Sequence, residues 1–469
     1  MRRSPVSLRG LCDLTLRFPR RPWSRHKVYV REYSNLPNTS LFGSASSDAP
    51  SAAEIAPLLA EFASHPPMPL KLSTLLSFGR PLSEESVMQS VDYVLTEVPR
   101  LFGLRVRNLE ALPFIVGMNP FIARILSAHR RAFQVLATFP AVKTLEENVQ
   151  FTRQLEALVQ AHANDIPLMA KGFQECSRYL SSEQISQFLD SAIRNRIAVR
   201  LIAEQHIALS RSLELPKHQH NNHIGIVNMK CSPKDMIRMC GSFVHDLSEA
   251  TLGASPEIII DGDVDATFAY VPVHLEYLLT EILKNSFRAS VERHHKSGSS
   301  QPIPPVVITI SPPQHNQSSR HPNPAFLSMR IRDQGGGVPE ANLSQIFSYS
   351  FTTAGRTSGI YDSDEDSGGG PYAAQHVGGS ASVDAHSGSM GGASLFGDIV
   401  GRGVQVGMGT IAGLGYGLPM SRLYAKYFGG SLDFVSLDGW GSDVFVKLRS
   451  LDDAEDIEIG GQSYQAANV

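Results

Sequence analysis

The sequence predicts an α+β protein in which a helical bundle precedes an α/β sandwich. Between about Leu70 and Leu213, apolar residues return at intervals of three and four, which is the spacing of amphipathic helices. After residue 222, short alternating runs that indicate strands are interleaved with longer helical stretches. The 469 residues are enough for two such domains.

The overall composition excludes several classes of protein. A net charge of −3 argues against a nucleic-acid-binding or membrane-surface protein. No apolar run is long enough to cross a bilayer, so no membrane insertion is expected. The four cysteines have neither C-x-x-C nor metal spacing, and we expect free thiols in a reducing compartment at Cys12, Cys176, Cys231 and Cys240.

The first 33 residues have the composition of a mitochondrial transit peptide. Nine arginine and lysine residues stand there against only Asp13 and Glu32. The sequence Arg31-Glu32-Tyr33-Ser34 resembles a matrix processing site, which predicts cleavage after Tyr33. A merely disordered basic tail is the alternative. Residues 34–65, rich in Ser, Ala and Pro, are expected to form a flexible lead-in.

The helical half of the sequence, residues 66–214, contains four long helical patterns. Four long helices favour an antiparallel bundle. The predicted helices cover 84–102, 119–138, 144–162 and 181–212.

Histidines in and after this half raise two further possibilities. His206 could be a phosphoacceptor, but the apolar stripe around it (Ile202, Leu209 and Leu213) favours a structural histidine in a packed helix. A second group has no acidic or cysteine partner at metal spacing, and we interpret it as a polar linker: His218, His220 and His223.

The second half, residues 222–452, is predicted to form a mixed sheet with helices on one face. The predicted helices are 233–251, one from Pro272 onward, and Met420 to Phe428; the strands are 256–261, 265–271, 305–310, 326–332, 431–435 and 443–448. An insertion rich in Gly, Ser and Asp occupies 355–409, and loops of that length are functional lids or disordered. The acidic tail, 453–469, is expected to be flexible.

The stretch Glu281–Arg288, E-I-L-K-N-S-F-R, is the first of three candidate ligand motifs. At helical pitch Glu281, Asn285 and Arg288 share one face, while leucines and Ile282 mark another. These side chains suit a proton acceptor, a ligand for Mg²⁺ and a phosphate partner. An amphipathic helix with a solvated polar face is the alternative.

Two glycine-rich motifs follow. In Asp333–Pro339, D-Q-G-G-G-V-P, consecutive glycines let a ligand lie close to the main chain, and Asp333 could accept a hydrogen bond from an exocyclic amine such as that of adenine; an ordinary turn is the alternative. In Gly413–Pro419, G-L-G-Y-G-L-P, glycines open a helix whose free N–H groups suit phosphate. The second motif lacks the P-loop lysine and any βαβ unit.

In this order the three motifs resemble the Bergerat (GHKL) ATP-binding fold, an α/β sandwich. The strings E-I-L-K-N-S-F-R-A, D-Q-G-G-G-V-P and G-L-G-Y-G-L-P-M-S-R-L-Y-A-K-Y-F-G-G are similar to those of the mitochondrial 2-oxoacid dehydrogenase kinases, the pyruvate and branched-chain enzymes. Segments at 69–80, 164–172 and 194–206 extend the resemblance over nearly the whole mature chain.

The resemblance implies a matrix protein-serine kinase that uses ATP and Mg²⁺ to phosphorylate and inactivate the dehydrogenase component of a 2-oxoacid dehydrogenase complex. The pyruvate complex is favoured, and the branched-chain complex is the alternative. It also implies a homodimer and docking of a regulatory bundle, residues 66–214, to a lipoyl domain of the acyltransferase core. Two other classes are a non-catalytic nucleotide-binding adaptor and a protein-histidine kinase.

The resemblance also assigns roles to individual residues. Glu281 would accept the proton of the substrate serine, Asn285 would bind Mg²⁺, and Asp333 would hold adenine with support from Ser442. Lys284 and Arg288 would balance charge. The ATP lid would contribute Thr352 and Thr353, and the phosphates would lie against Gly413, Leu414, Gly415, Tyr416, Gly417 and Leu418. The remaining predicted nucleotide-binding residues are Ile282, Leu283, Ser286, Phe287, Gly335 and Gly337.

Two departures weaken the pyruvate assignment. Tyr277 occupies a position where pyruvate dehydrogenase kinases commonly carry a histidine. The branched-chain enzyme also lacks a histidine at that position. His274 of this chain is a poor substitute for the missing histidine. The tail after Leu451 has no Asp-Trp pair of the kind that some animal pyruvate dehydrogenase kinases use to cross between subunits.

Overall fold

The computed structural model describes residues 50–65, 67–68, 70–214, 222–313, 325–349, 415–452 and 458–459. Every described residue lies in one compact unit, Pro37–Val469. The transit peptide, residues 34–49 of the lead-in and the insertion at 355–409 therefore lie outside the described residues. The expectation of a flexible lead-in is wrong for its second half, because Ala52–Ala63 form a helix with Ile55 buried in the core.

The described chain begins with a helical region. Its helices are α1 (Ala52–Ala63), α2 (Leu72–Ser77), α3 (Glu84–Glu110), α4 (Phe114–Gly117), α5 (Pro120–Ala137), α6 (Leu145–Ala161), α7 (Asp165–Glu175) and α8 (Ser182–Glu214), with a short strand β1 (Leu70–Lys71) after α1. The predicted helix 84–102 is too short, because Val106 and Leu109 continue its buried stripe and α3 ends only at Glu110.

Capping residues fix where these helices begin. Ser83 and Thr144 form capping boxes at α3 and α6, in which the hydroxyl accepts from the backbone three residues on. Asn119 caps α5, and Pro120 follows at the first helical position, where its missing N–H costs nothing. The starts of the long helices are therefore encoded locally.

The second region combines sheets and helices. Its strands are β2 (His223–Ile224), β3 (Val227–Cys231), β4 (Ile258–Gly262), β5 (Phe268–Tyr270), β6 (Val306–Ser311), β7 (Phe326–Arg332), β8 (Ser431–Leu437), β9 (Gly441–Arg449) and β10 (Glu458–Ile459). Its helices are α9 (Pro233–Leu252), α10 (Pro272–Ser297), α11 (Glu340–Leu343) and α12 (Gly417–Tyr427). The mixture confirms the predicted α+β class.

The main sheet has the order β4-β6-β7-β9-β8 and is mixed, as predicted. β4 and β6 run parallel, and the other pairs are antiparallel, with Ile308 opposite Ile331 and Arg332 opposite Asp443. Alternate residues of β6, β7 and β9 are buried, so one face of the sheet contributes to the core. A smaller antiparallel sheet has the order β2-β3-β5.

Two expectations about strands are wrong in part. The strand predicted at 265–271 begins only at Phe268, because residues 263–266 form a turn in which Ala266 N–H donates to Asp263. The tail was expected to be flexible throughout, but Glu458 and Ile459 form β10, which pairs antiparallel with β1. This pairing joins the end of the chain to the helical region.

Contacts within this unit tie α8 to the sheet region. Gln205 Nε2 donates to Leu75 O at 3.0 Å, and its Oε1 accepts from Ile226 N at 2.9 Å. Gly225 lies against the same amide with φ +58°, and a Cβ there would overlap Gln205. Tyr349 Oη donates to Asp190 Oδ1 at 2.6 Å.

Two general expectations can be checked on the described residues. Cys176, Cys231 and Cys240 are free and buried, as predicted, while Cys12 lies outside the described ranges. Within the same part of the chain, no helix is both long and apolar enough to cross a membrane.

Candidate active site

Helix α10 carries the first motif and is fixed at both ends. Pro272 occupies its first turn, and Gly298 ends it in the left-handed conformation with φ +59°. Leu275, Leu278 and Ile282 form its buried stripe, as predicted. The three groups predicted to share the polar face differ in environment: Glu281 is buried, Arg288 is half-buried and Asn285 is exposed.

Glu281 forms a buried ion pair with Lys284. Its Oε1 lies 2.5 Å from Lys284 Nζ, and the two residues are only 7% and 6% exposed. Its Oε2 lies against Gly417, the first residue of α12, where a Cβ would overlap that oxygen. The helix motif and the second glycine motif therefore meet at one carboxylate.

Asp333 lies at the end of β7 and is held by three donors. Its Oδ1 accepts from the backbone N–H of Gly335 at 2.8 Å and of Ser442 at 3.3 Å. Its Oδ2 accepts from Ser286 Oγ on α10 at 3.2 Å. Burial raises the pKa of Asp333, and the three hydrogen bonds oppose that rise. Ser442 thus supports Asp333 through its backbone.

The glycines after Asp333 are required by close packing. A Cβ on Gly335 would overlap Ala289 of α10, and one on Gly337, whose φ is +74°, would overlap the Leu437 carbonyl. Gly336 N–H donates to Trp440 O at 3.1 Å, which ties the loop to the β8–β9 turn. These glycines bring the first glycine motif against the helix and the hairpin.

The second glycine motif is described only from Gly415 onward. Gly415 has φ +76°, and Tyr416 is buried with its ring 5.2 Å from that of Tyr349. Helix α12 starts at Gly417 and Leu418 rather than at Met420, so the N-terminus of this helix lies beside Glu281. The other predicted phosphate and lid residues lie outside the described ranges: Thr352, Thr353, Gly413 and Leu414.

Several predicted nucleotide-binding side chains occupy other positions. Ile282, Leu283 and Phe287 are buried in the hydrophobic core, because the register of α10 points them away from its polar face, so we correct their role to supporting the helix. Arg288 forms an ion pair with Glu292 at 3.0 Å.

Tyr277 and His274 lie one and two turns before Glu281. Tyr277 Oη donates to Met420 Sδ at 3.6 Å, so its only proton is directed at α12. Burial lowers the pKa of His274 to about 3, and nearby Arg200 lowers it further. Its ring lies 4.8 Å from Tyr424, so it is a neutral core residue rather than a partner of Glu281.

His206 is fully buried in α8, as predicted for a structural residue. Its ring nitrogens lie 3.1 Å from Ser90 Oγ and 3.3 Å from Ser210 Oγ. Burial lowers its pKa to about 4, so the ring is neutral at pH 7. A phosphoacceptor needs access to a phosphoryl donor, and this ring has none.

Sequence reasoning missed a buried polar cluster in the helical region. Potential ligand atoms of His129, His162 and Asp165 all lie within 4.8 Å of one another. No short motif links the three positions, so only the fold brings them together. Arg105 is buried nearby, and the charge of Asp165 partly offsets the desolvation that lowers the pKa of Arg105 to about 9. Asp165 is therefore a counter-ion to Arg105, and that positive charge disfavours a metal cation there.

Comparisons with known proteins find relatives among mitochondrial dehydrogenase kinases. A family model described as mitochondrial branched-chain alpha-ketoacid dehydrogenase kinase matches residues 69–228. The chain is 28% identical over 390 residues to the mitochondrial pyruvate dehydrogenase (acetyl-transferring) kinase of Arabidopsis thaliana, covering 82% of this chain and 92% of that protein.

Two further relatives carry similar names. Pyruvate dehydrogenase (acetyl-transferring) kinase 1, mitochondrial, of Saccharomyces cerevisiae is 27% identical, over 84% of this chain and 86% of its own length. The human mitochondrial isozyme 3 of the same kinase is 27% identical, over 82% of this chain and 83% of its own length. The chain is thus similar to mitochondrial pyruvate dehydrogenase kinases over more than four fifths of its length, and residues 69–228 match the branched-chain kinase model.

Proposed function

We propose that this chain is a mitochondrial protein-serine kinase that transfers the γ-phosphoryl group of ATP to the dehydrogenase component of the pyruvate dehydrogenase complex and thereby inactivates it. One observation carries the proposal: Glu281 Oε2 lies at the first residue of α12, where a helix N-terminus suits phosphate. A proton acceptor and a phosphate site are thus adjacent.

Asp333 is the proposed adenine-binding residue. Its three donors, from Ser286, Gly335 and Ser442, fix the carboxylate while its oxygens retain lone pairs for an exocyclic amine. The close approach of Gly335 to α10 and of Gly337 to Leu437 supports a site built from main chain. Thr352, Thr353, Gly413 and Leu414 are proposed to complete the contacts to the phosphates.

A magnesium ion fits the residues present. Asn285 offers an exposed amide oxygen on α10, one turn from the Glu281 carboxylate. Mg²⁺ in phosphoryl-transfer sites uses few protein ligands and completes its coordination with water and phosphate oxygens, so a single amide is sufficient. Asn285 would hold the ion, and its charge would offset that of the phosphates.

The proposed reaction is a single displacement. The substrate serine oxygen bonds to the γ-phosphorus as the bond from that phosphorus to the β,γ-bridging oxygen breaks, and ADP leaves with the electron pair. Glu281 accepts the hydroxyl proton. Because a carboxylate is a weak base for a hydroxyl, positioning and electrostatic stabilisation supply much of the rate.

The substrate assignment follows the names of the relatives, which are pyruvate dehydrogenase kinases. The branched-chain complex is the second candidate, because the family model at residues 69–228 carries that description. We further propose a matrix location, a homodimer, and docking of the helical region to a lipoyl domain of the acyltransferase core.

The experiment is to incubate the purified protein with Mg-ATP and each purified dehydrogenase component in turn. We expect acid-stable phosphoserine on the pyruvate component and loss of its dehydrogenase activity. Faster phosphorylation of the branched-chain component would select the second candidate. Bound ATP without phosphate on either component would support a nucleotide-binding adaptor, and acid-labile phosphate would support a histidine kinase.

A further inference from the structure

We propose that Lys284 is the positioning residue of Glu281: it holds Oε1 so that Oε2 faces Gly417 and alone receives the substrate proton. The inference rests on the proposed kinase function and deepens it. It assigns the proton acceptor to one atom of the carboxylate and the orientation of that carboxylate to one neighbouring cation.

The geometry separates the two carboxylate oxygens. Oε1 lies 2.5 Å from Lys284 Nζ, which is a close, charge-assisted contact. Oε2 is the atom that approaches Gly417 at the start of α12. A side chain with one oxygen bound to an ammonium group and the other facing the phosphate site has a fixed orientation.

Burial distinguishes this pair from an ordinary surface contact on a helix. The side chains of Lys284 and Glu281 are 8% and 9% exposed, whereas those of Arg288 and Glu292, a similar pair on the same helix, are 17% and 38% exposed. A buried ion pair pays a desolvation cost that well-packed apolar side chains would avoid. A contribution to helix stability alone therefore does not explain why the pair is buried.

The side chains of Tyr277 and His274, which precede Glu281 on the same helix, do not hold its carboxylate. The Tyr277 hydroxyl, one turn before Glu281, donates its proton to Met420 Sδ. His274 is neutral and packed against Tyr424. Within the described residues, the ion pair that Glu281 makes is the one with Lys284.

The test measures kcat and the KM for Mg-ATP in phosphoryl transfer to the dehydrogenase component. Lys284→Met frees the Glu281 carboxylate, so kcat should fall at least about tenfold while the KM for Mg-ATP changes by less than about threefold. Lys284→Arg keeps the cation and should retain most of the activity that Lys284→Met loses. A lysine that acts through Glu281 should add no further loss in the Glu281→Gln background, whereas a merely structural lysine would lower kcat in both backgrounds.

Two further variants keep the result interpretable. Lys284→Gln is measured in parallel and replaces Lys284→Met if that variant does not fold. It removes the charge but retains a polar group. Lys234→Met is the control: Lys234 pairs with the exposed Asp265 at 3.1 Å, and its kcat should match that of the wild type.

The outcomes distinguish this inference from the proposed function. A wild-type protein that binds ATP but transfers no phosphate would overturn both. A wild type that transfers phosphate, with kcat unchanged in Lys284→Met and Lys284→Gln, would overturn the role of Lys284 alone. An equal further loss of kcat when Lys284→Met is added to Glu281→Gln would also overturn it.

Discussion

At the residue scale, burial decides which titratable groups can act. His206, His129 and His274 are buried and neutral, whereas Glu281 is buried beside a cation. The buried histidines contribute to the pH dependence of stability, and the paired carboxylate is available for chemistry. Residue type alone does not separate these roles.

His206 provides a prediction about stability and pH. Its pKa is about 4 in the folded protein against 6.5 in an exposed histidine, so the unfolded chain binds the proton more readily. The neutral His206 therefore contributes to the free energy of unfolding above pH 6.5, and this contribution is lost as the pH falls toward 4.

The side chain in His206→Gln stays neutral at low pH, so this variant should lose less stability on acidification than the wild type. Between about pH 7.5 and pH 5 the free energy of unfolding should fall by about 2 kcal/mol less than in the wild type. Denaturant unfolding at the two pH values measures the difference, and His245→Gln, at an exposed histidine, is the control. Equal losses in His206→Gln and the wild type would contradict the assignment.

At the element scale, the start of α12 is the most sensitive point of the site. A Cβ in Gly417→Ala would overlap Glu281 Oε2 and displace the carboxylate from the proposed phosphate site. Because misplacing a catalytic group by about 1 Å can cost on the order of a hundredfold, we expect phosphoryl transfer to fall at least tenfold.

Gly117→Ala is the matched control for this change. Gly117 lies in α4, and a Cβ there meets nothing within 4 Å. Initial rates of transfer, with circular dichroism to check folding, compare the two variants. Full activity in Gly417→Ala would show that the carboxylate does not need its place at α12.

The elements also show how far sequence reasoning reaches. The long helices and the strands flanking the motifs were predictable because their caps and apolar periodicity are local. The turn at 263–266 could not be predicted because it depends on a single hydrogen bond. The pairing of β1 with β10 could not be predicted because the two strands are distant in sequence. The same limit hid the Lys284–Glu281 pair and the cluster of His129, His162 and Asp165, whose meaning depends on burial.

At the scale of the whole molecule, the helical region and the sheet region are directly connected. Tyr349 Oη donates to Asp190 of α8 at 2.6 Å, while its ring packs on Tyr416 of the second glycine motif. The bond to a carboxylate joins α8 to the glycine motif, so it should stabilise their arrangement.

Tyr349→Phe tests this connection because it keeps the ring and removes the hydroxyl. We expect a loss of stability of about 1.5 to 3 kcal/mol, the usual range for a hydrogen bond to a charged group. Thermal unfolding measures it, and Tyr179→Phe, at a half-exposed tyrosine, is the control. An unchanged melting temperature in Tyr349→Phe would show that the contact carries no stability.

For the molecule as a whole, we propose that segments around residues 281, 333 and 417 form one ATP site in which Glu281 accepts the substrate proton. The most direct test is Glu281→Gln, with ATP binding and phosphoryl transfer measured on the same preparation and Glu249→Gln, at an exposed glutamate on α9, as the control. We predict nearly normal ATP affinity with transfer lowered by about a hundredfold or more, the scale of a lost acid–base group. Transfer at the wild-type rate in Glu281→Gln would contradict the account.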